Sequence, residues 1–189
     1  MSTKPQQHPP RWTYSEFVRL PDDGNRYEII AGELYMTPAP STRHQLAITP
    51  LLAVLHSFVE NHNLGWVLPG PVDVLFAEGD YLEPDLVFIR LSRKNIISDR
   101  GIEGAPDLVV EILSPSTAMI DRGIKRDRYE HFGVTEYWIV DLDQKLIAVN
   151  RFGEQGHQSH VVTESIDWTP IPGGPSLTIN LANVFRGFS

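Results

Sequence analysis

No cysteine occurs among the 189 residues. That excludes disulfides, thiolate catalysis, Cys-ligated zinc and iron–sulfur clusters. Long apolar runs are missing as well. No stretch approaches the roughly 20 apolar residues of a membrane-spanning helix, and residues 1–10 are polar and Pro-rich without the apolar segment of a signal peptide. The expectation is a soluble, cytoplasmic protein with no membrane partner. Positive charge is scarce: 16 Lys+Arg stand against 24 Asp+Glu, a formal net charge of −8. This argues against a generic basic coat for nucleic acid and leaves room for a local basic site. Also absent are a P-loop, a Gly-rich dinucleotide fingerprint, a Gly-x-Ser-x-Gly elbow and His spacing suited to zinc.

What is present is ordinary globular material, 41% hydrophobic and 21% charged. The length suits one domain with a sizeable core. Residues 1–12 read as a flexible arm and 13–189 as a single domain. The segment 13–20 predicts a short helix, with Thr13 and Glu16 forming a capping box. Segments 27–30 and 33–36 predict strands joined by a tight Ala31-Gly32 turn. Apolar spacing over 42–63 predicts a long helix that Pro50 should kink or divide. Thr42 and Gln45 fit a capping box at its start. Further strands are expected at 66–68, 72–76 and 85–89.

The run 107–113 is almost continuously apolar, the mark of a strand covered on both faces. A helix should follow over about 119–132, stopped by Gly133, and then strands at 136–141, 146–152 and 158–162. Tyr137 and Trp138 read as core. A last helical turn is expected near 181–184. This order predicts a mixed α/β domain, one sheet with helices on its faces.

Three residues stand out as candidates for chemistry. Glu111 interrupts the apolar run, and a buried carboxylate needs a cation, hydrogen bonds or a metal. An ordinary structural ion pair is the competing reading. Asp85 opens the strand after Pro84, where a strand-start Asp bonded to a nearby N–H is the plain alternative. Lys125 shares a helical stripe with Asp121 and Arg128. Its alternative is an Asp121–Lys125 pair on a solvated face. The helix carrying Lys125 follows directly from the strand carrying Glu111. Two carboxylates on adjacent strands suit a hard cation such as Mg²⁺. Such an ion activates water and neutralises charge on phosphate. A nearby lysine then orients or deprotonates the water, or stabilises that charge.

Pro84-Asp85 and Glu111-Ile112-Leu113 resemble the PD-(D/E)XK nuclease motif. Tyr27-Glu28-Ile29-Ile30-Ala31-Gly32-Glu33-Leu34, Ser41-Thr42-Arg43-His44, the run from Pro106 to Ser116, and Glu136-Tyr137-Trp138-Ile139-Val140-Asp141 extend the likeness. Together they resemble the Uma-two family of restriction-endonuclease-like proteins over about residues 13–185. The resemblance implies a restriction-endonuclease-like core with a mixed central sheet flanked by helices. It also implies Mg²⁺ (or Mn²⁺)-dependent DNA cleavage, with Asp85 and Glu111 as metal ligands, and a homodimer. The motif wants Lys where this chain has Leu113. Lys125 is the expected replacement, and Leu113 is the feature that favours a catalytically inert binding domain instead. A hydrolase of another phosphodiester or of a nucleotide is a third reading. Glu33 is a further candidate acid, against an ordinary hairpin-surface Glu. His44 is a candidate for approaching phosphate or metal, against a helix-start His bonded locally.

Charge is uneven along the chain. Residues 90–128 hold eight Lys/Arg and six Asp/Glu, while the remainder holds eight and 18. The basic share is therefore expected to surround the proposed site.

Overall fold

The buried strand expected at 107–113 is β9 (Leu108–Ile112), with every residue buried. The computed structural model describes residues 12–188 except 22, 78, 154 and 155. The arm predicted over 1–12 lies, up to residue 11, outside the described residues.

Before β9 come α1 (Tyr14–Phe17), β1 (Asn25–Ile30), β2 (Glu33–Pro38), α2 (Thr42–Asn61), β3 (Gly65–Pro69), β4 (Val74–Ala77), β5 (Asp80–Leu82), β6 (Leu86–Arg90), a 3₁₀ segment (Leu91–Ile96), β7 (Ile97–Ser98) and β8 (Gly101–Ile102). After it come α3 (Ala118–Ile120), a π-helical turn (Asp121–Lys125), α4 (Arg126–Phe132), β10 (Glu136–Asp141), β11 (Leu146–Arg151), β12 (Gln158–Val162), β13 (Ser165–Trp168), β14 (Leu177–Asn180) and α5 (Leu181–Val184). The main sheet runs β12-β11-β10-β9-β6-β3, a second runs β2-β1-β5-β4-β8-β7, and β13 pairs with β14. In the main sheet β9 and β10 are parallel and their neighbours antiparallel. The sequence expectation of one mixed sheet flanked by helices describes the main sheet and misses the second six-stranded sheet and the β13–β14 pair, whose strands are mostly short.

Strand alternation divides the core. Leu108, Val110, Ile112, Phe88 and Trp138 pack with Ala47, Leu51, Leu55 and Phe58 of α2. Val109, Val87, Tyr137 and Ile139 pack instead with Tyr129, Val134 and residues of the second sheet, including Ile30 and Leu82. Both faces of β9 are thus covered, as a continuous apolar strand requires.

Three local expectations are corrected. Pro50 does not divide α2, which runs from Thr42 to Asn61. The proline removes a donor to the Leu46 carbonyl, but Leu46 is 61% exposed, so water can reach that group. Pro in a helix costs about 3 kcal/mol, while each fully buried Leu such as Leu51 and Leu55 contributes roughly 1.5–3 kcal/mol. Packing wins. The cap of α2 is Ser41, whose Oγ accepts from the His44 N–H, rather than Thr42. The predicted helix over 119–132 carries a π turn in its middle.

The Thr13–Glu16 capping box is present. The Ala31-Gly32 turn has φ of 54° and 87°, as a two-residue hairpin connection with both central residues at positive φ requires. Gly133 ends α4 at φ 85°. The short strands β5, β7, β8, β13 and β14 had no clear sequence signal. Among the described residues no helix is long and apolar enough to cross a membrane.

Candidate active site

Strands β6, β9 and β1, the start of α2 and one crossover build the site. β6 and β9 are antiparallel, with Leu86 opposite Val110. One step further along that register, Asp85 stands across from Glu111. β9 and β10 are parallel, so the chain must cross over between them. It does so through α3, the π turn and α4, which carries Lys125 over the end of β9. From the second sheet, β1 contributes Arg26 and Glu28, which share a face because strand side chains alternate.

Lys125 is the hub. Its Nζ lies 2.8 Å from Glu28 Oε1, 2.9 Å from Glu111 Oε1 and 3.5 Å from Asp121 Oδ1. It is only 3% exposed. Burial pulls its pKa down, but Glu111, Glu28 and Asp121 outweigh burial and hold it well above the usual lysine range. Glu111 Oε1 also accepts from Tyr129 Oη at 2.8 Å. Glu28 Oε1 accepts from the Glu83 N–H at 2.8 Å. Burial drives the Glu111 carboxyl well above its ordinary pKa, against the pull of Lys125. Burial likewise raises Asp121, whose Oδ1 accepts no hydrogen bond from the described residues.

Asp85 is different. Its Oδ2 accepts from the Ile112 N–H at 2.7 Å and contacts His44 Nε2 at 2.9 Å. Its Oδ1 accepts from Arg26 Nη1 at 3.2 Å. Burial pushes its pKa up, but His44, the Ile112 N–H and Arg26 prevail and hold it below the ordinary value. The His44 Nδ1 is buried and finds no partner among the described residues.

These groups line a cavity of about 430 Å³, whose rim carries Arg43, Arg122, Asp141 and Asp143. Arg122 Nη2 lies 2.6 Å from Asp141 Oδ2, and Arg43 Nη1 lies 2.6 Å from Asp143 Oδ1. Carboxyl groups outnumber Lys/Arg side chains inside. Glu28, Asp85, Glu111 and Asp121 are buried carboxylates, and Arg26 and Lys125 are the inner Lys/Arg side chains. Four carboxyl groups around two such cations make an oxygen-rich donor set that fits one divalent cation. Among the described residues no group of three or more His, Asp or Glu is gathered as ready ligands. Asp85 and Glu111 would therefore hold such an ion together with waters, as Mg²⁺ commonly allows.

Asp85, Glu111, Lys125 and His44 meet in this cavity. Lys125 and Asp121 are buried rather than paired on a solvated face. Arg128 leaves the proposed stripe and binds Asp80, because the π turn shifts the helical register. Glu33 is a correction: it is exposed just after the hairpin turn, with a contact to Tyr35 Oη. The cavity lies toward the other end of that hairpin, at Arg26, Glu28 and Thr37. Glu28 carried the signal that marked Glu111, a carboxylate inside an apolar run, and was missed. The basic segment is also corrected. Of its eight Lys/Arg, only Arg122 and Lys125 line the cavity, whereas Arg90 and Arg93 are taken by Asp107.

The family model Uma2, described as "Putative restriction endonuclease", matches residues 14–182. Comparison with curated proteins gives no match. Among solved structures, the chain is similar to "a putative nuclease belonging to DUF820 from Anabaena variabilis ATCC 29413". The TM-score is 0.77 at 20% identity, covering 94% of this chain and 99% of that one. At that identity the likeness establishes a shared fold.

Proposed function

The chain belongs to the Uma2 restriction endonuclease family, and on that premise we propose that it is a divalent-metal-dependent DNA endonuclease. One observation carries the reading. Lys125 reaches Glu111 at 2.9 Å from a separate helix, and so supplies the ammonium that Leu113 cannot. The excess of buried carboxyl groups over cations supports a Mg²⁺ or Mn²⁺ ion held by Asp85 and Glu111. When bound, that ion supplies water activation and neutralises charge on the phosphate.

The chain's own residues divide the remaining work. Lys125 is held protonated by three carboxylates, which favours orienting water and stabilising phosphate charge over proton abstraction. His44 and the Ile112 N–H fix the Asp85 carboxylate. Glu28 and Asp121 hold the Lys125 ammonium in place. Arg43 and Arg122 line the cavity and would exchange Asp143 and Asp141 for flanking phosphates.

The test is cleavage of plasmid and single-stranded DNA with Mg²⁺ or Mn²⁺. Asp85→Asn and Glu111→Gln should each abolish it, and Lys125→Met should lower the rate on the order of 10²-fold or more. Unchanged rates in the two carboxylate variants would sink the assignment. We further propose a homodimer, because two strands need two centres. Sedimentation of an active preparation as a monomer would exclude it. The second reading, an inert binding domain, rests on Leu113 at the motif position. Calorimetry without divalent-cation binding would support it.

A further inference from the structure

Both oxygens of Asp85 have partners in the structure, and Arg26 is the partner of Oδ1. The Asp85 Oδ2 is occupied by the Ile112 N–H and His44. The Oδ1 faces Arg26 Nη1 at 3.2 Å, the longest of the three contacts. Arg26 is anchored elsewhere, with Nε 3.1 Å from Glu83 Oε2 and Nη2 on the Glu83 carbonyl. It can therefore release Asp85 without losing its seat. Its side chain is 20% exposed and lines the cavity, so the released Nη1 stays where a phosphate would enter.

We propose that Arg26 is the resident counter-ion of Asp85, competing with the divalent cation for that carboxylate and yielding it when a phosphodiester offers the guanidinium a new partner. Cation and nucleic acid then bind cooperatively, since each favours the arrangement the other needs. This inference rests on the metal-dependent reading above and adds the order that Arg26 imposes on it. Glu83 is a positioning residue: it holds the guanidinium between the two partners.

The experiment is calorimetric titration of the intact protein with Mn²⁺, with and without a non-cleavable phosphorothioate oligonucleotide. Arg26→Gln should tighten Mn²⁺ binding by about tenfold or more. It should also abolish the tightening that the oligonucleotide gives the wild type. Arg122→Gln removes the same charge at the rim, away from Asp85, and should change Mn²⁺ affinity far less. If Arg26→Gln does not fold, Arg26→Lys keeps the charge but loses the fork, and should still tighten Mn²⁺ binding several-fold. Equal effects at positions 26 and 122, or no gain in either position 26 variant, overturn the inference and leave the metal site standing. Absence of Mn²⁺ binding in wild type and variants alike overturns both.

Discussion

At the residue scale, the decisive fact is that one buried ammonium serves three carboxylates. An ion pair that loses a partner in the interior leaves an uncompensated charge, which costs about 3–5 kcal/mol. Glu28, Glu111 and Asp121 are therefore not interchangeable with surface acids such as Glu33. Glu28→Gln removes a contact to Lys125 at 2.8 Å and should lower the cleavage rate by about tenfold or more. Glu33→Gln touches nothing in the cavity and should leave the rate within about twofold. Steady-state kinetics on one oligonucleotide substrate, with circular dichroism as a control for folding, decides between them. Comparable losses in both variants would return Glu33 to the site.

At the element scale, the crossover between β9 and β10 positions Lys125, and the π turn adjusts its register. π turns are rare and frequent at functional sites. Here the Asp121 carbonyl accepts from Tyr137 Oη at 3.0 Å, which ties the turn to the sheet. Gly123 lies inside it with open space where a Cβ would stand. Gly123→Ala should therefore stabilise the fold by roughly 0.5–1 kcal/mol, read from urea denaturation, with cleavage unchanged. Deleting Gly123 removes one residue between Asp121 and Lys125, a shift of roughly 100° about a helix axis. The deletion should lower cleavage on the order of 10²-fold while retaining helical content. Retained activity would mean that the turn does not set the register of Lys125.

For the whole molecule, the unbalanced site makes stability depend on pH and on divalent cations. Glu111 and Asp121 are held above their ordinary values of 4.5 and 3.8. The folded state then binds more protons than the unfolded chain, so their contribution falls as pH rises from those values through the raised ones. Asp85 is lowered and acts with the opposite sign: its contribution is present above 3.8 and is lost as pH falls through the lowered value. In EDTA, Glu111→Gln should gain melting temperature relative to wild type as pH rises from about 5 to about 8. Mn²⁺ should raise the wild-type melting temperature most at the alkaline end, because binding releases the carboxyl proton. A pH-independent difference between the two proteins would contradict the raised Glu111 pKa.

Much of this was legible in the residues, because local rules govern it. The missing cysteines closed off thiol chemistry. The apolar run with one carboxylate named both β9 and Glu111. Pro84 before a strand marked Asp85, and Gly133 marked the end of α4. Period and composition act within a few residues, so one chain suffices to read them. Other features depend on what lies across the fold. Only burial against Leu51 and Leu55 lets α2 run through Pro50. Only sheet pairing separates Glu28, in the cavity, from Glu33, in solvent. Only the parallel crossover brings Lys125 to Glu111, 14 residues away. The scarcity of positive charge, read along the chain, pointed to a basic segment around the site. In three dimensions most of those arginines are held by aspartates, and the site keeps more carboxyl groups than cations. Sequence spacing fixes which residues can share an element. Long-range pairing fixes which charges meet, and electrostatic energy depends on that distance.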